Sequence, residues 1–178
     1  MDWIPGRPIV EVLMAHPEAV HPLGMAFGRI QTVIHTLKVP AFVTYETEIW
    51  LIPATDEEKR LMQRIASVNG GARGVLLHLD YHPLNVLTDG HAITAVLDWA
   101  NAAQGDPRLD IARTLSILQL EGRRPGSILA DYQEALTAFE RGWLAGYEQE
   151  AGKLGALFIF KALAGLRMIR DFSGRRTE

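Results

Sequence analysis

Residues 75–114 have the sequence VLLHLDYHPLNVLTDGHAITAVLDWANAAQGDPRLDIART, and they predict both the fold around them and the chemistry it serves. Two apolar runs end at carboxylates, the first at Asp80 and the second at Asp98, and Asn85 closes the proline-containing loop after the first run. Two short apolar arms flank Asp89-Gly90, a pair typical of a β-hairpin turn. Polar groups in these places can cap turns, but their joint spacing favours a functional site.

The composition excludes several classes of protein. The chain has 178 residues, which fits a single domain over residues 1–178 with a core of ordinary size. Its 18 Lys and Arg residues against 21 Asp and Glu residues give a net charge of −3 without runs of like charge, so nucleic acid is not expected as a partner. The chain lacks cysteine, a basic leader and an apolar run of about 20 residues, which predicts a cytoplasmic protein with no membrane partner.

Apolar residues at spacings of three and four predict a mainly helical chain. The predicted helices cover Ile9–Ala15, Pro17 to about Lys38, a segment that begins with the capping box Thr55–Glu58 and ends near Asn69, Leu109–Leu120, Ser127–Gln149 and Lys153–Phe172. A strand is predicted over Gly74–Leu79, and Val39–Pro53 is predicted to be a loop. The fold class is therefore α+β, mainly helical, with a small antiparallel hairpin region that bears the site.

The polar groups around the hairpin suit phosphoryl transfer from Mg-ATP to a hydroxyl. That reaction needs a carboxylate that accepts the hydroxyl proton and oxygen ligands for Mg²⁺. Asp80 is placed as the base, while Asn85 and Asp98 are hard oxygen groups for the metal. A hairpin loop centred near His91 sets Asn85 opposite Asp98, whereas a two-residue turn at Asp89-Gly90 leaves Asp98 roughly 13 Å beyond its partner.

Two further aspartates near the hairpin have structural explanations. Asp106 precedes Pro107, a pattern typical of a helix N-cap with proline at the first helical position. Asp110, one turn later, can interact with the N-terminal helix dipole or tie the catalytic loop by hydrogen bonds. We predict a structural role for both.

Three segments together resemble the aminoglycoside phosphotransferase and choline kinase-like family, which shares the protein-kinase fold. They are His78–Leu87 (HLDYHPLNVL), Val96–Trp99 (VLDW) and Gly105–Ala112 (GDPRLDIA). The resemblance implies ATP and Mg²⁺ as cofactors, with Asn85 and Asp98 as metal ligands. It makes Asp80 the catalytic base and His78 the histidine that organises the catalytic loop. Family members often have glycine where this chain has Leu79, whose side chain we expect to point into the core.

The first six residues resemble the hinge between the two lobes of a kinase, so the chain is expected to begin at the larger, C-terminal lobe without the small N-terminal lobe. Backbone groups of the hinge contact adenine in that fold, which makes Asp2, Trp3 and Ile4 the cofactor-binding candidates. All four lysines fall in or at the ends of helical segments. No predicted strand therefore carries the lysine that holds nucleotide phosphates.

Two hypotheses follow from these patterns. In the first, the chain is the catalytic lobe of an ATP-dependent small-molecule kinase that phosphorylates a substrate hydroxyl, and it is either a truncated form or completed by a separate N-lobe partner. Alternatively, it is a catalytically inactive kinase-like binding or scaffold module, or a truncated gene product. Apolar surface at the place where the small lobe would dock predicts self-association or a partner. The acceptor stays open because aminoglycoside, choline, macrolide and sugar kinases share these motifs.

Overall fold

A computed structural model describes residues 4–41, 43, 52–69, 74–121, 126–127 and 130–174. The α-helices of this part of the chain are α1 (Ile9–Ala15), α2 (Val20–Thr36), α3 (Asp56–Asn69), α4 (Pro107–Glu121), α5 (Gln133–Ala151) and α6 (Leu157–Gly174). Its strands are β1 (Arg7–Pro8), β2 (Val75–Leu77), β3 (Val86–Thr88), β4 (Ile93–Val96) and β5 (Ala103–Gly105). The prediction of a mainly helical α+β fold with a small antiparallel hairpin region is confirmed, and the structure adds a second small sheet of β2 and β5.

The strands form two small antiparallel sheets. One has the order β1-β3-β4, and the other pairs β2 with β5. In the β3–β4 hairpin Val86 lies opposite Val96, and the register shifts after Leu87. The turn is fixed by Asp89, whose carboxylate accepts the N–H groups of His91 and Ala92, each at 2.8 Å. This local bonding widens the turn beyond a two-residue loop.

Helices α2 and α5 pack with their backbones almost in contact. Gly24 and Gly28 face the main chain of α5, and Gly142 and Gly146 face the main chain of α2. A Cβ atom at any of these positions would overlap a backbone carbonyl oxygen of the other helix, so the glycines set the distance between the helices. An aromatic core beside this contact is formed by Phe27, Tyr81, Phe139 and Trp143.

A second core joins β2 and β5 to α3, α4 and α6. Its buried residues are Ile65, Leu77, Leu79, Ala103, Leu109, Ala112, Ile159, Phe160, Leu163 and Ala164. Arg108 connects α4 to α6, because its guanidinium bonds both carboxylate oxygens of Asp106 at 2.6–2.9 Å and lies 4.4 Å from the centre of the Phe160 ring. Asp106 also accepts the Arg108 N–H at 2.9 Å, which confirms the predicted N-cap.

The start of α3 is tied to α6. The N–H of Glu58 donates to the Thr55 hydroxyl at 3.1 Å, and the Glu58 carboxylate reaches back to the N–H of Ala54 at 2.8 Å. The Thr55 cap of the predicted capping box is confirmed, and the reciprocal Glu58 bond goes to the residue before the cap. The buried Glu58 carboxylate also meets Arg170 at 3.1 Å and Arg167 at 3.8 Å, so the cap is part of the helix packing.

Most predicted elements are confirmed, with shifts at their ends. Helix α5 begins at Gln133 rather than Ser127, and α6 at Leu157 rather than Lys153. Strand β2 ends at Leu77, two residues earlier than predicted. Most of the loop predicted over Val39–Pro53 lies outside the described residues. Within the parts of the chain that the structure describes, every helix is too short or too polar to cross a membrane.

Candidate active site

Strand β2 ends early because the backbone turns sharply at Leu79. Its φ of 58° lies in the left-handed region, which costs a residue with a Cβ atom about 1–2 kcal/mol. Two interactions offset this cost. The Leu79 N–H donates to a carboxylate oxygen of Asp110 at 2.7 Å, and the side chain, 1 % exposed, packs in the second core. The expectation that Leu79 points into the core is confirmed, and Asp80 follows at the partly exposed surface.

His78 connects the loop that carries Asp80 to the end of β4. Its Nδ1 accepts the N–H of Asp80 at 3.2 Å, and its Nε2 lies 2.9 Å from the carbonyl oxygen of Leu97. These partners assign the neutral tautomer with the proton on Nε2. Burial lowers the pKa of His78 and outweighs the nearby carboxylates, which favours this neutral form. His78 is fully buried, so its contacts are those of a positioning residue.

Asp80 and Asn85 are brought into direct contact. The Asn85 side-chain nitrogen donates to the Asp80 main-chain carbonyl at 3.0 Å and to its carboxylate at 3.1 Å. Both amide hydrogens therefore point at Asp80, and the amide oxygen, the atom that a magnesium ion would bind, faces the other way. Burial raises the pKa of Asp80, but the nearby His82 imidazole and the charge of Arg113 together bring the pKa below its usual value. Asp80 is thus ionised at neutral pH, the state that accepts a proton.

Asp98 reaches the same end of the hairpin. The Leu97 N–H donates to the Asn85 carbonyl oxygen at 2.7 Å, so Asn85 lies opposite Leu97 and Asp98 is the next residue. This register is one residue from the wide-loop prediction and excludes the two-residue turn at Asp89-Gly90. Asp98 has a φ of 57° and an exposed side chain. An exposed carboxylate and an amide oxygen at one hairpin end suit Mg²⁺, which keeps several waters and takes few protein ligands.

His82 belongs to the same cluster, although the sequence analysis gave it no role. Its Nε2 lies 3.6 Å from a carboxylate oxygen of Asp80 and 3.3 Å from the side-chain nitrogen of Asn85. Its Nδ1 accepts the N–H of Leu84 at 3.3 Å. The spacing Asp80-x-His82 was the available signal, but whether residues two apart face each other depends on how the loop turns.

A buried polar network holds the loop from behind. The Asp110 carboxylate, fully buried, accepts Gln31 Nε2 at 3.1 Å and lies 3.0 Å from His35 Nε2, in addition to its bond to the Leu79 N–H. Burial raises the pKa of Asp110, but the hydrogen bond and charge of His35 and the Gln31 bond bring it below its usual value. The predicted tie between Asp110 and the candidate catalytic loop, residues 78–85, is confirmed.

The network continues from Asp110 into α5. The Trp143 indole N–H donates to Gln31 Oε1 at 2.8 Å, and the Tyr147 hydroxyl lies 2.9 Å from His35 Nδ1. Burial raises the pKa of Tyr147, so this phenol stays protonated. Residues of α2, α4 and α5 thus share one set of hydrogen bonds that ends at the backbone of the catalytic loop.

The predicted hinge is described in part. Asp2 and Trp3 lie outside the described residues, and Ile4 is 47 % exposed. Strand β1 follows and pairs with β3, which sets Pro8 opposite Leu87. The segment after Ile4 therefore runs beside the strand that follows Asn85.

Comparisons with known proteins identify the family and the fold of the chain. A model of the phosphotransferase enzyme family matches residues 46–150. The search of curated proteins found no match. Three solved structures share the fold at low identity. A candidate aminoglycoside phosphotransferase of Ralstonia eutropha JMP134 is 15% identical, with a TM-score of 0.57, over 94% of this chain and 60% of that one.

The other two are an amicoumacin kinase and an aminoglycoside phosphotransferase. The amicoumacin kinase hAmiN, in complex with AMP-PNP, Ca²⁺ and Ami, is 19% identical, with a TM-score of 0.57, over 94% of this chain and 54% of that one. An aminoglycoside-3'-phosphotransferase of type VIII is 19% identical, with a TM-score of 0.53, over 92% of this chain and 66% of that one. The chain therefore spans between 54% and 66% of the length of these three proteins.

Proposed function

Because the chain belongs to the phosphotransferase enzyme family, we propose that it carries the transfer site of an ATP-dependent small-molecule kinase. The observation that carries the proposal is the contact between Asn85 and Asp80 at 3.1 Å, at the hairpin end where Asp98 also lies. A base and two oxygen ligands within one hairpin end are the groups that phosphoryl transfer to a hydroxyl requires. We also propose that the enzyme acts in the cytoplasm, where ATP is available.

In the proposed reaction, Asp80 orients the acceptor hydroxyl and takes its proton. The acceptor oxygen forms a bond to the γ-phosphorus while the bond from that phosphorus to the β–γ bridging oxygen breaks, and ADP leaves. The Asn85 amide oxygen and the Asp98 carboxylate would hold Mg²⁺. When bound, Mg²⁺ would neutralise charge on the phosphates. His78 holds the Asp80 N–H and the Leu97 carbonyl, so it fixes the distance between the base and the metal ligands.

The nucleotide would lie along β1 and β3. We propose that adenine binds near Ile4, and the family resemblance adds Asp2 and Trp3 to the adenine-binding candidates. The strands within the described residues carry no lysine, so on this proposal the phosphate grip comes from elsewhere, either another segment or an N-lobe partner. Ile4, Leu97 and Trp99 have exposed side chains, and we expect that partner, or a second copy, to dock on them.

Metal-dependent nucleotide binding tests the proposal. We expect Mg²⁺ to strengthen ATP binding by the purified chain at least about tenfold, and Asp98→Ala to remove that gain, since it deletes one of two protein ligands. Asp80→Asn should keep the binding and lose transfer to the acceptor. Asp131→Asn, which changes an exposed carboxylate with no part in the proposed site, is the control.

The alternative is a catalytically inactive kinase-like binding or scaffold module, including a truncated gene product. It predicts no transfer from any variant, and no difference between the wild-type chain and Asp98→Ala in ATP binding. Light scattering tests whether a second copy docks, because a monomer in solution argues against self-association. A chain that also gains no activity when an N-lobe is added argues against the N-lobe partner. A thermal-shift screen of hydroxyl-bearing antibiotics and amino alcohols with Mg-ATP would identify the class of acceptor.

A further inference from the structure

The His82 imidazole lies beside the proposed base and one of the proposed metal ligands. Its Nε2 is 3.6 Å from Asp80 Oδ1 and 3.3 Å from Asn85 Nδ2, while its other nitrogen accepts the Leu84 N–H at 3.3 Å. Because Nδ1 acts as an acceptor, the neutral ring carries its proton on Nε2. This tautomer, assigned from the hydrogen bonds, directs the Nε2–H at Asp80 Oδ1, because the Asn85 nitrogen is itself a donor and cannot accept it.

The two oxygens of the Asp80 carboxylate are held unequally. Oδ2 accepts the Asn85 amide at 3.1 Å, within normal hydrogen-bond distance. Oδ1 meets His82 at 3.6 Å, which is too long for a strong hydrogen bond. An acceptor hydroxyl that approaches Asp80 therefore displaces His82 at little cost and leaves Asn85 in place. The displaced Nε2–H then needs a new acceptor, and the site offers one in the group being transferred.

We propose that His82 is a catalytic residue that donates its Nε2–H to a non-bridging oxygen of the transferring phosphoryl group. The inference rests on the proposed function and adds a donor to it. The acceptor hydroxyl gives its proton to Asp80, its oxygen bonds to phosphorus, and the bond to the bridging oxygen of ADP breaks. His82 exchanges no proton in this step. Its hydrogen bond strengthens as charge is redistributed over the phosphoryl oxygens, so it stabilises the transition state more than the bound ATP.

Two substitutions separate this role from a structural one. His82→Asn keeps an oxygen that can accept the Leu84 N–H, as in a local Asx turn, but its amide is too short to reach the phosphoryl group. His82→Gln reaches further and offers an N–H donor at about the distance of the imidazole Nε2. A structural role predicts that Asn substitutes better than Gln. The proposed role predicts the reverse. His91→Ala, in the exposed hairpin turn, is the matched control.

The first readout is ligand affinity, measured by calorimetry on the whole chain with Mg-ADP and with Mg-ADP plus aluminium fluoride, which mimics the transferring phosphoryl group. His82→Asn should bind Mg-ADP within about twofold of wild type and bind the fluoride complex about 10–100-fold more weakly, the loss expected for one donor in a partly exposed site. His82→Gln should regain at least about a third of the affinity for the fluoride complex that His82→Asn loses, measured on a logarithmic scale. His91→Ala should bind both ligands like wild type.

The second readout is the kinetic split where transfer is measurable. His82→Asn should lower kcat by about 10–100-fold with the KM for ATP unchanged within about twofold. If wild type and His82→Asn bind the fluoride complex with equal affinity, the His82 inference is wrong; the proposed function is tested separately by Asp98→Ala. The inference is also wrong if His82→Asn binds the fluoride complex like wild type and His82→Gln does not. A wild-type chain that binds neither complex overturns both proposals together.

Discussion

Asp110→Asn should lower the free energy of unfolding by about 2–4 kcal/mol although the two side chains have the same shape. The Asp110 carboxylate accepts three hydrogen bonds, from the Leu79 N–H, Gln31 and His35, and it is fully buried. An amide has one acceptor oxygen. Either orientation of asparagine therefore turns its NH₂ group towards a donor that had been satisfied.

The magnitude follows from what the neighbours can do in response. Gln31 cannot turn its oxygen towards the new NH₂ group without losing the Trp143 indole, which donates to that oxygen at 2.8 Å. His35 can change tautomer and accept, so at least one of the three bonds is recovered. The remaining loss is one or two charge-assisted bonds of about 1.5–3 kcal/mol each, reduced by partial relaxation of the site.

The pH dependence gives a second arm to this test. The folded-state pKa of Asp110 is below its usual value, because the bonds and charge of His35 and Gln31 outweigh burial. The stabilisation is therefore present above the unfolded pKa, near ~3.9, and is lost as the pH falls through the folded pKa. Asn does not ionise. The difference in stability between wild type and variant should be constant from pH 7 to about 5 and shrink below about pH 4.

Urea denaturation followed by circular dichroism at pH 7 and at pH 3–4 measures both quantities. Asp131→Asn, an exposed carboxylate, is the control and should stay within about 0.5 kcal/mol of wild type. An Asp110→Asn variant that unfolds within about 0.5 kcal/mol of wild type at pH 7 would refute the assignment of a shared network.

Four other substitutions test the fold and its loop by denaturation. Gly28→Ala should lower the free energy of unfolding by about 2–3 kcal/mol, since its Cβ would overlap the Trp143 carbonyl oxygen. Gly165→Ala meets open space and should raise it by about 0.5–1 kcal/mol. Equal effects would contradict the close contact between α2 and α5. Leu79→Gly relieves about 1–2 kcal/mol of backbone strain but removes a buried leucine worth about 2–5 kcal/mol, so a net loss is expected and a gain would argue against the core contact. Tyr81→Phe should cost about 1 kcal/mol, because its hydroxyl donates to a carbonyl of α2 at 2.8 Å; no change would indicate that this bond is dispensable.

The helical spacing of apolar residues predicted most of the fold. The apolar stripe of α2 and the Asp106-Pro107 start of α4 fix those helices locally, so pattern alone finds them. Strands β1 and β5 have two and three residues, too few to show an alternating pattern. They exist because a neighbouring strand supplies hydrogen bonds, which only the folded chain determines.

The candidate site likewise has a part that the local sequence predicts and a part that depends on the fold. Asp80 and Asn85 lie on one loop, five residues apart, and their approach follows from a short turn. The position of Asp98 depends on the hairpin register, which Asp89 sets by capping two N–H groups. The sequence left two registers open because an Asp-Gly pair suits both a two-residue turn and a longer one. The contact of His82 with Asp80 depends on the loop conformation and had no pattern of its own.

The backbone strain explains why the site is so dependent on the rest of the fold. Leu79 and Asp98, two of the three non-glycine residues with positive φ among the described residues, stand beside the proposed base and at the proposed metal ligand. Neither conformation is preferred locally, so each must be stabilised by distant contacts. For Leu79 that contact is Asp110, 31 residues away, which is itself held by His35, 75 residues further back. A change in α2 or α5 that loosens this network should therefore disturb the catalytic loop before it disturbs the helices, because the strained turn has the least local support.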